Sequence, residues 1–131
     1  MLELDGVEAG YGSAQVLFGV SFSVNAGACV SLMGRNGMGK TTTVRAIMGQ
    51  LPLQGGCITR FGMADSGRDP FELARAGIGL VPEGRQIFTN LSVRENLATF
   101  FGPARDGDTI WTLDSVLELF PRLRERLGHS G

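Results

Sequence analysis

The chain has 131 residues, which is enough for one domain rather than two, and 43% of them are hydrophobic, which is enough to form a core. Its 12 basic and 13 acidic residues give a net charge of −1, so it lacks the basic excess that binds nucleic acid or acidic lipid. No apolar stretch nears the roughly 18 residues that a membrane span needs, and the acidic start MLELDGVEAG is unlike a secretory signal peptide.

Strand patterns dominate the first part of the chain. Apolar residues at positions 2, 4 and 7 indicate a short first strand, which glycines at positions 6, 10 and 12 are expected to end. Strict alternation over residues 16–24 predicts a half-buried strand, and the Asn-Ala-Gly that follows predicts a turn. Residues 29–33, CVSLM, predict a strand covered on both faces, as do residues 78–81, IGLV. A further strand is predicted over residues 57–61.

Helical patterns lie between and after these strands. Apolar residues at positions 44, 47, 48 and 51 predict an amphipathic helix that follows a glycine-rich loop over residues 34–39. The Asp-Pro-Phe-Glu that begins at Asp69 predicts a capped helix start. Helices are also predicted from Ser92 to about Phe100, where Gly-Pro follows, and from Ile110 to residue 120, before Pro121 and a short charged helix. The fold class is therefore mixed α/β.

Neither the cysteines nor the histidine form a recognisable site in the sequence. Cys29 and Cys57 have no metal-like spacing, and two thiols do not make a disulfide framework, so both are expected to be buried and reduced. The single histidine, His129, lies near the end of the chain and is expected to be a solvated residue.

A phosphate-binding loop is the most specific motif in the sequence. Residues 34–41, GRNGMGKT, match G-x-x-x-x-G-K-[ST], with a predicted strand before them and a predicted helix after them. The glycines allow backbone N–H groups to surround a phosphate, and the helix start adds unpaired N–H groups and the positive end of its dipole. Lys40, the only lysine, can reach the terminal phosphates, and the Thr41 hydroxyl can ligate Mg²⁺.

Three segments of the chain resemble the ATP-binding subunits of ABC transporters. Residues 34–42 resemble their Walker A loop, residues 80–88, LVPEGRQIF, their Q-loop region, and residues 91–97, LSVRENL, the start of their helical subdomain. The VPEGR-x-IF form is most similar to subunits that drive branched-chain amino acid import, with urea or amide importers next.

The resemblance covers essentially the whole chain and implies its architecture. It implies a P-loop NTPase of the α/β class, an ABC-type nucleotide-binding domain fragment. Residues from 1 to about 90 would form the antiparallel β subdomain and part of the RecA-like core. Residues from about 91 to 131 would form the start of the helical subdomain.

The resemblance also implies a set of site residues. Tyr11, 23 residues before the loop, would stack on adenine, and Val16 would contact the same base. Glu83 stands where the family has the Q-loop glutamine, which touches Mg²⁺ and the attacking water; it would be a catalytic residue and a metal contact together with Thr41. An ionised carboxylate accepts hydrogen bonds but cannot donate them, and the alternative is that Glu83 is an ordinary solvated loop residue. The implied nucleotide-binding residues are Tyr11, Val16, Asn36, Gly37, Met38, Gly39, Lys40, Thr41 and Thr42, with Thr42 at the α-phosphate.

Three elements of the family are not found in these 131 residues: the signature motif, the strand ending in Asp-Glu and the switch histidine. The chain therefore resembles the N-terminal part of a longer ATPase subunit, and alone it is expected to bind ATP and Mg²⁺ without hydrolysing ATP. The intact subunit would be cytoplasmic and peripheral to the inner face of the plasma membrane. Its implied partners are transmembrane permease subunits and a second ATP-binding subunit, and no nucleic acid. In the family fold other strands lie between residues 29–33 and 78–81, so the isolated chain is expected to self-associate there or to hold this region loosely.

Other protein classes with a phosphate-binding loop fit the sequence less well. A GTPase needs an Asn-Lys-x-Asp motif, which cannot exist when Lys40 is the only lysine. A small-molecule kinase needs an arginine-rich lid, and the arginines here are dispersed. A third alternative is a non-catalytic module that acts only as a scaffold, and comparing ATP binding with ATP hydrolysis separates it from an ATPase.

Overall fold

The computed structural model describes residues 1–64, 67–84, 86–99 and 111–131, which form two compact units, Met1–Leu80 and Val81–Gly131. The described strands are β1 (Leu2–Tyr11), β2 (Ala14–Val24), β3 (Leu53–Arg60) and β4 (Met63–Ala64). The described helices are α1 (Lys40–Ile47), α2 (Pro70–Arg75), α3 (Val93–Thr99), α4 (Leu113–Leu119) and α5 (Pro121–Arg124). None of them is both long enough and apolar enough to cross a membrane.

The first unit is built on an antiparallel sheet with the strand order β2-β1-β3-β4. β1 is an interior strand, because it pairs with β2 on one side and with β3 on the other. Apolar side chains from three strands pack with α1 and the turn after it. The buried members of this cluster are Leu4, Val7, Ala9, Leu17, Ala46, Leu51 and Ile58.

The strand predicted over residues 16–24 is confirmed as β2, but its inward face changes partway along. The pairing register with β1 shifts between Val20 and Leu17, and Gly19 has a φ of 76°, so a β-bulge interrupts the alternation. Leu17 is consequently buried, whereas Phe18 is 73% exposed. A shift of one residue moves every later side chain to the opposite face of the sheet.

The first strand does not end at the glycines, as the sequence predicted, but continues to Tyr11. Gly6 adopts a φ of 57° at a second register shift, and its N–H donates to Ser21 Oγ at 2.8 Å. At Gly10 a Cβ would collide with the Ala14 carbonyl oxygen, so only glycine allows β1 and β2 to approach this closely at the hairpin end. These glycines belong to the strand, and they place Tyr11 at its end.

Two predicted strands are wrong: neither residues 29–33 nor residues 78–81 form one. Val30 is 55% exposed, Met33 84% and Val81 94%, and the expectation that Cys29 is buried is also wrong. A run that is apolar on both faces needs a neighbour on each side to complete its hydrogen bonds. In the described part of the chain, the sheet pairs its four strands without these two segments.

Helix α1 is fixed at its C-terminal end by an arginine on β3. Arg60 is only 5% exposed, and its guanidinium donates to the Ile47 carbonyl at 2.9 Å and to the Ala46 carbonyl at 3.1 Å. The last carbonyls of a helix have no partner within the helix, and the negative end of its dipole favours a cation there. The helix is where the sequence predicted it, but Thr42, Thr43 and Ala46 form its buried face.

Helix α2 begins at Pro70, as predicted, but without the expected side-chain cap. Among the described residues nothing bonds to the Asp69 carboxylate at this helix start; the Asp69 carbonyl instead accepts from the backbone N–H groups of Glu72 and Leu73. Leu73 is fully buried and lies against the backbone of Gly49, just after α1.

In its described residues the second unit contains three short helices, and backbone hydrogen bonds join the start of α3 to the chain end, from Val93 N–H to the His129 carbonyl and from Arg94 N–H to the Leu127 carbonyl. The capping box predicted at Ser92 is confirmed, since Glu95 N–H donates to Ser92 Oγ and Ser92 N–H donates to Glu95 Oε2. Glu95 Oε2 also accepts from the Ser92 hydroxyl at 2.7 Å, and this bond, followed by the one from the Ser92 N–H, lowers the pKa of Glu95. A second capping box joins Thr112 and Ser115 at α4. The structure does not describe several residues of the predictions, namely Arg85, Phe100, the Gly-Pro break predicted after Phe100, and Ile110.

Hydrogen exchange of the backbone amides tests this description of the first unit. We expect slow exchange for the amides of β1 and β2 that pair between its register shifts, and fast exchange for residues 29–33 and 79–81, which belong to no strand. The Ile78 amide donates to the Leu73 carbonyl at 3.0 Å and is left out of this comparison. Strong protection of both apolar segments in a dilute, monomeric sample would contradict the description.

Candidate functional site

The glycine-rich loop ends at Gly39, where the chain turns directly into α1. Gly39 is the N-cap residue and has a φ of 83° and a ψ of 5°, in the left-handed region that favours glycine. A Cβ on Gly39 would lie 2.8 Å from Leu17 Cδ2 and 3.5 Å from Val16 Cγ1. The junction between loop and helix is therefore pressed against β2, and a larger residue does not fit there without displacing Leu17.

The N-terminus of α1 keeps its hydrogen-bond donors available to a ligand. Within the described chain, no side chain caps this end, and no acidic residue lies in the first turn. Thr43 Oγ1 and the Thr43 N–H both bond to the Gly39 carbonyl, at 2.9 and 2.8 Å, which secures the first turn without using the N–H groups before it. N–H groups in the first turn of a helix have no partner within the helix, and they attract anions.

The Lys40 side chain folds back over the loop and bonds to the carbonyls at its start. Its Nζ donates to the Gly34 carbonyl at 2.7 Å and to the Arg35 carbonyl at 2.8 Å, so the ammonium group ties the start of the loop to its end. An ammonium group has three N–H donors, and these two bonds leave one for a ligand. The only lysine of the chain thus lies beside the helix N-terminus, where a phosphate would meet both.

Tyr11 is held next to the same helix by its hydroxyl group. Arg45 Nη1 donates to the Tyr11 hydroxyl at 3.0 Å, and its guanidinium carbon lies 5.9 Å from the ring centroid. A hydrogen bond with the Thr42 side chain, followed by the bond from Arg45, lowers the pKa of Tyr11 below its ordinary value. The side chain is still 44% exposed, which leaves ring surface available for an aromatic ligand.

The structure brings most of the predicted nucleotide-binding residues together. Val16 lies beside Gly39, Tyr11 beside Thr42, and Thr41 is exposed on the first turn of α1. Met38 is 69% exposed. Asn36 and Gly37 form a turn within the loop, and Gly37 has a φ of 83°. The roles of all these residues toward a nucleotide stay predictions.

Glu83 lies in the second unit, exposed in a turn that continues into Gly84 with its φ of 86°. Its predicted pairing with Thr41 at a magnesium ion stays a prediction. The described residues contain no group of three or more His, Cys, Asp or Glu side chains that could hold a metal ion.

Sequence reasoning missed three residues that shape this site: Thr43, Arg45 and Arg60. Thr43 was hidden in a run of three threonines, and its signal was its position four residues after Gly39, where a side chain reaches the preceding carbonyl. Arg45 follows Thr42 by three residues, so the two share a face of the helix. Arg60 gave no signal, because a buried arginine at a strand end is indistinguishable in sequence from an exposed one.

The combination of a glycine-rich loop, a lysine folded over it and an uncapped helix start defines a phosphate-binding-loop protein. The family model described as ABC transporter matches residues 17–130. The chain belongs to the ABC transporter family.

Individual relatives agree with this assignment. The chain is 41% identical over 128 residues to the high-affinity branched-chain amino acid transport ATP-binding protein BraG of Pseudomonas aeruginosa, covering 96% of this chain and 54% of that protein. It is also 41% identical over 99 residues to the Nod factor export ATP-binding protein I of Rhizobium meliloti, covering 76% of this chain and 29% of that protein. The chain thus spans about half the length, or less, of the curated relatives it matches.

Solved structures give the same fold. The solved structure of the ATP binding subunit of an ABC transporter superposes with a TM-score of 0.79 at 31% identity, covering 98% of this chain and 53% of that one. A bacterial Atm1-family ABC exporter with ATP bound superposes with a TM-score of 0.77 at 26% identity, covering 98% of this chain and 23% of that one. The chain has the fold of part of an ABC nucleotide-binding domain.

Two alanine substitutions in the loop separate backbone strain from close packing. Gly37 and Gly39 have the same φ of 83°, but a Cβ at Gly37 meets nothing within 4 Å, whereas one at Gly39 meets Leu17. We expect Gly37→Ala to cost about 1–2 kcal/mol of unfolding free energy for the left-handed backbone, and Gly39→Ala to cost roughly 1–3 kcal/mol more for the overlap with Leu17. Urea unfolding followed by circular dichroism measures both, and equal losses would contradict the proposed packing.

Proposed function

We propose that the chain binds ATP with Mg²⁺ at the loop before α1, as part of the ATPase that drives an ABC transporter. The observation that carries this proposal is the position of Lys40, whose ammonium group closes a glycine loop at an uncapped helix N-terminus. Fixed positive charge and unpaired N–H groups at one point suit the β- and γ-phosphates of a nucleotide. Family membership supports ATP over other phosphate ligands.

Each part of the loop has a distinct proposed task. The backbone N–H groups from Gly37 to Thr42 surround the phosphates, Lys40 neutralises their terminal charge and Thr42 meets the α-phosphate. Thr41 presents its hydroxyl to Mg²⁺, whose chemistry when bound is to neutralise charge on the phosphate oxygens. Tyr11 stacks on adenine, and Val16 contacts the same base beside the loop. Glu83, in the second unit, is proposed to help orient the attacking water in the intact subunit.

Hydrolysis, partners and location are proposals for the intact protein. Ser92 and the helix it caps are proposed to begin the helical subdomain, which follows the β subdomain and partial RecA-like core. We propose that the intact subunit pairs with a second ATP-binding subunit and binds transmembrane permease subunits at the inner face of the plasma membrane, on the cytoplasmic side. We propose no nucleic acid partner, because the 12 basic and 13 acidic residues leave no excess of positive charge.

The proposed solute is a branched-chain amino acid, taken up rather than exported. The relative named for branched-chain amino acid transport aligns with 96% of this chain, and the Nod factor export relative with 76%. Deleting the gene in its source organism is expected to lower the uptake of labelled leucine, isoleucine and valine. Normal uptake, or the loss of an exported compound instead, would contradict this assignment.

Loss of the Lys40 ammonium group tests the phosphate site directly. We expect Lys40→Ala to weaken Mg-ATP binding by about 3 kcal/mol or more, which is over a hundredfold, because the phosphate charge loses its only lysine partner. Isothermal titration calorimetry measures the change. Arg75→Ala, which removes one exposed positive charge from α2, is the matched control and should leave the affinity unchanged. Equal ATP affinity for the wild type and Lys40→Ala would refute the proposed site.

A further inference from the structure

Arg45 lies outside the phosphate-loop motif, and no role in the site has been given to it so far. It lies in the second turn of α1, is exposed and donates to Tyr11 at the end of β1, 34 positions earlier in the chain. The hydroxyl oxygen of Tyr11 and Arg45 Nη1 are 3.0 Å apart, so the arginine meets the tyrosine at its polar end. The contact joins two elements that otherwise touch through the core below them.

Tyr11 needs such a contact to act as a platform for a base. It is the last residue of β1, next to a two-residue turn, and 44% of its surface is exposed. An exposed aromatic side chain at a strand end has several rotamers, and choosing one of them costs conformational entropy when a ligand binds. A hydrogen bond to a helix that is fixed at both ends, by Gly39 against Leu17 and by Arg60, removes that freedom beforehand.

We propose that Arg45 is a positioning residue for the base of the bound nucleotide, because it holds the Tyr11 ring in place beside the phosphate loop. The inference rests on the proposed function, since it requires a nucleotide at this loop. Arg45 acts through Tyr11 and does not itself contact the phosphates. Arg45 should therefore raise the affinity for a ligand that carries a base, and it should not change the affinity for a phosphate chain without a base.

A comparison of ATP with inorganic tripolyphosphate, each with Mg²⁺, separates the two cases. Arg45→Met keeps the aliphatic stem and removes the guanidinium, and we expect it to weaken ATP binding by about three- to tenfold while tripolyphosphate binding stays unchanged. Arg75→Met is the matched control, because Arg75 also lies beside an aromatic ring, at 5.8 Å from the centroid of Phe71, but on α2. Arg75→Met should leave the binding of both ATP and tripolyphosphate unchanged.

The outcomes distinguish this inference from the proposed function. If Arg45→Met weakens ATP and tripolyphosphate equally, Arg45 acts on phosphate and the inference is wrong; if it changes neither, the inference is also wrong. If the wild-type chain binds neither ligand, the proposed function fails and the base role fails with it. In a Tyr11→Phe background, Arg45→Met should have no further effect on ATP, and an undiminished effect would overturn the route through Tyr11.

The single tyrosine allows the contact to be measured without any nucleotide. Tyr11 is the only tyrosine in the chain, so the absorbance change of tyrosinate during a pH titration reports this residue alone. The hydrogen bond with the Thr42 side chain has the largest effect on the pKa of Tyr11 and remains in Arg45→Met. Removal of the hydrogen bond and the nearby cation that Arg45 supplies should raise this pKa part of the way toward its ordinary value. Arg45→Lys, which restores a cationic donor, should lower the pKa again. An unchanged titration in Arg45→Met would show that the contact does not form in solution.

Discussion

The close approach of Gly39 to Leu17 is the constraint on which the rest of the site depends. At this point the chain leaves the loop in a left-handed conformation, with no room for a Cβ, and begins α1 against the inner face of β2. The N-terminus of the helix is thereby fixed in position, with its first N–H groups available to an anion. Lys40 follows in the next position, where its side chain turns back over the loop carbonyls.

The sheet supplies the other half of this arrangement. The bulge at Gly19 directs Leu17 inward, which creates the surface that receives Gly39. The tight hairpin at Gly10 carries β1 as far as Tyr11, so that the aromatic side chain reaches the second turn of α1. Arg60 then holds the far end of the helix through its last carbonyls. A helix secured at both ends can present its N-terminus to a ligand with little reorganisation.

Patterns among neighbouring residues correctly predicted the helices and strands that depend on those residues alone. Alternation predicted β2, the capping box at Ser92 predicted the start of α3, and the glycine loop predicted the start of α1. The register shifts were not predictable, because a bulge depends on how two strands pair rather than on either strand alone. The same limit hid the contact between Arg45 and Tyr11, which only the fold brings together.

The two apolar runs show the opposite error, because composition predicted two strands that the structure does not form. Residues 29–33 and 78–81 have the composition of strands covered on both faces, but a strand forms only where another strand accepts its hydrogen bonds. The described residues pair four strands without them, and the side chains of Val30, Met33 and Val81 are left exposed. The apolar sequence therefore indicated that these segments need neighbouring strands, but it could not show whether such strands are present.

The central claim is that the loop and the first turn of α1 form a phosphate site. Titration of the isotope-labelled chain with Mg-ATP, followed by the backbone amide shifts in NMR spectra, tests it most directly, because each N–H group reports for itself. The account predicts that the largest changes fall on the amides of residues 36–42, with little change in α4. Changes centred on another part of the chain, or no changes at saturating ATP, would contradict it.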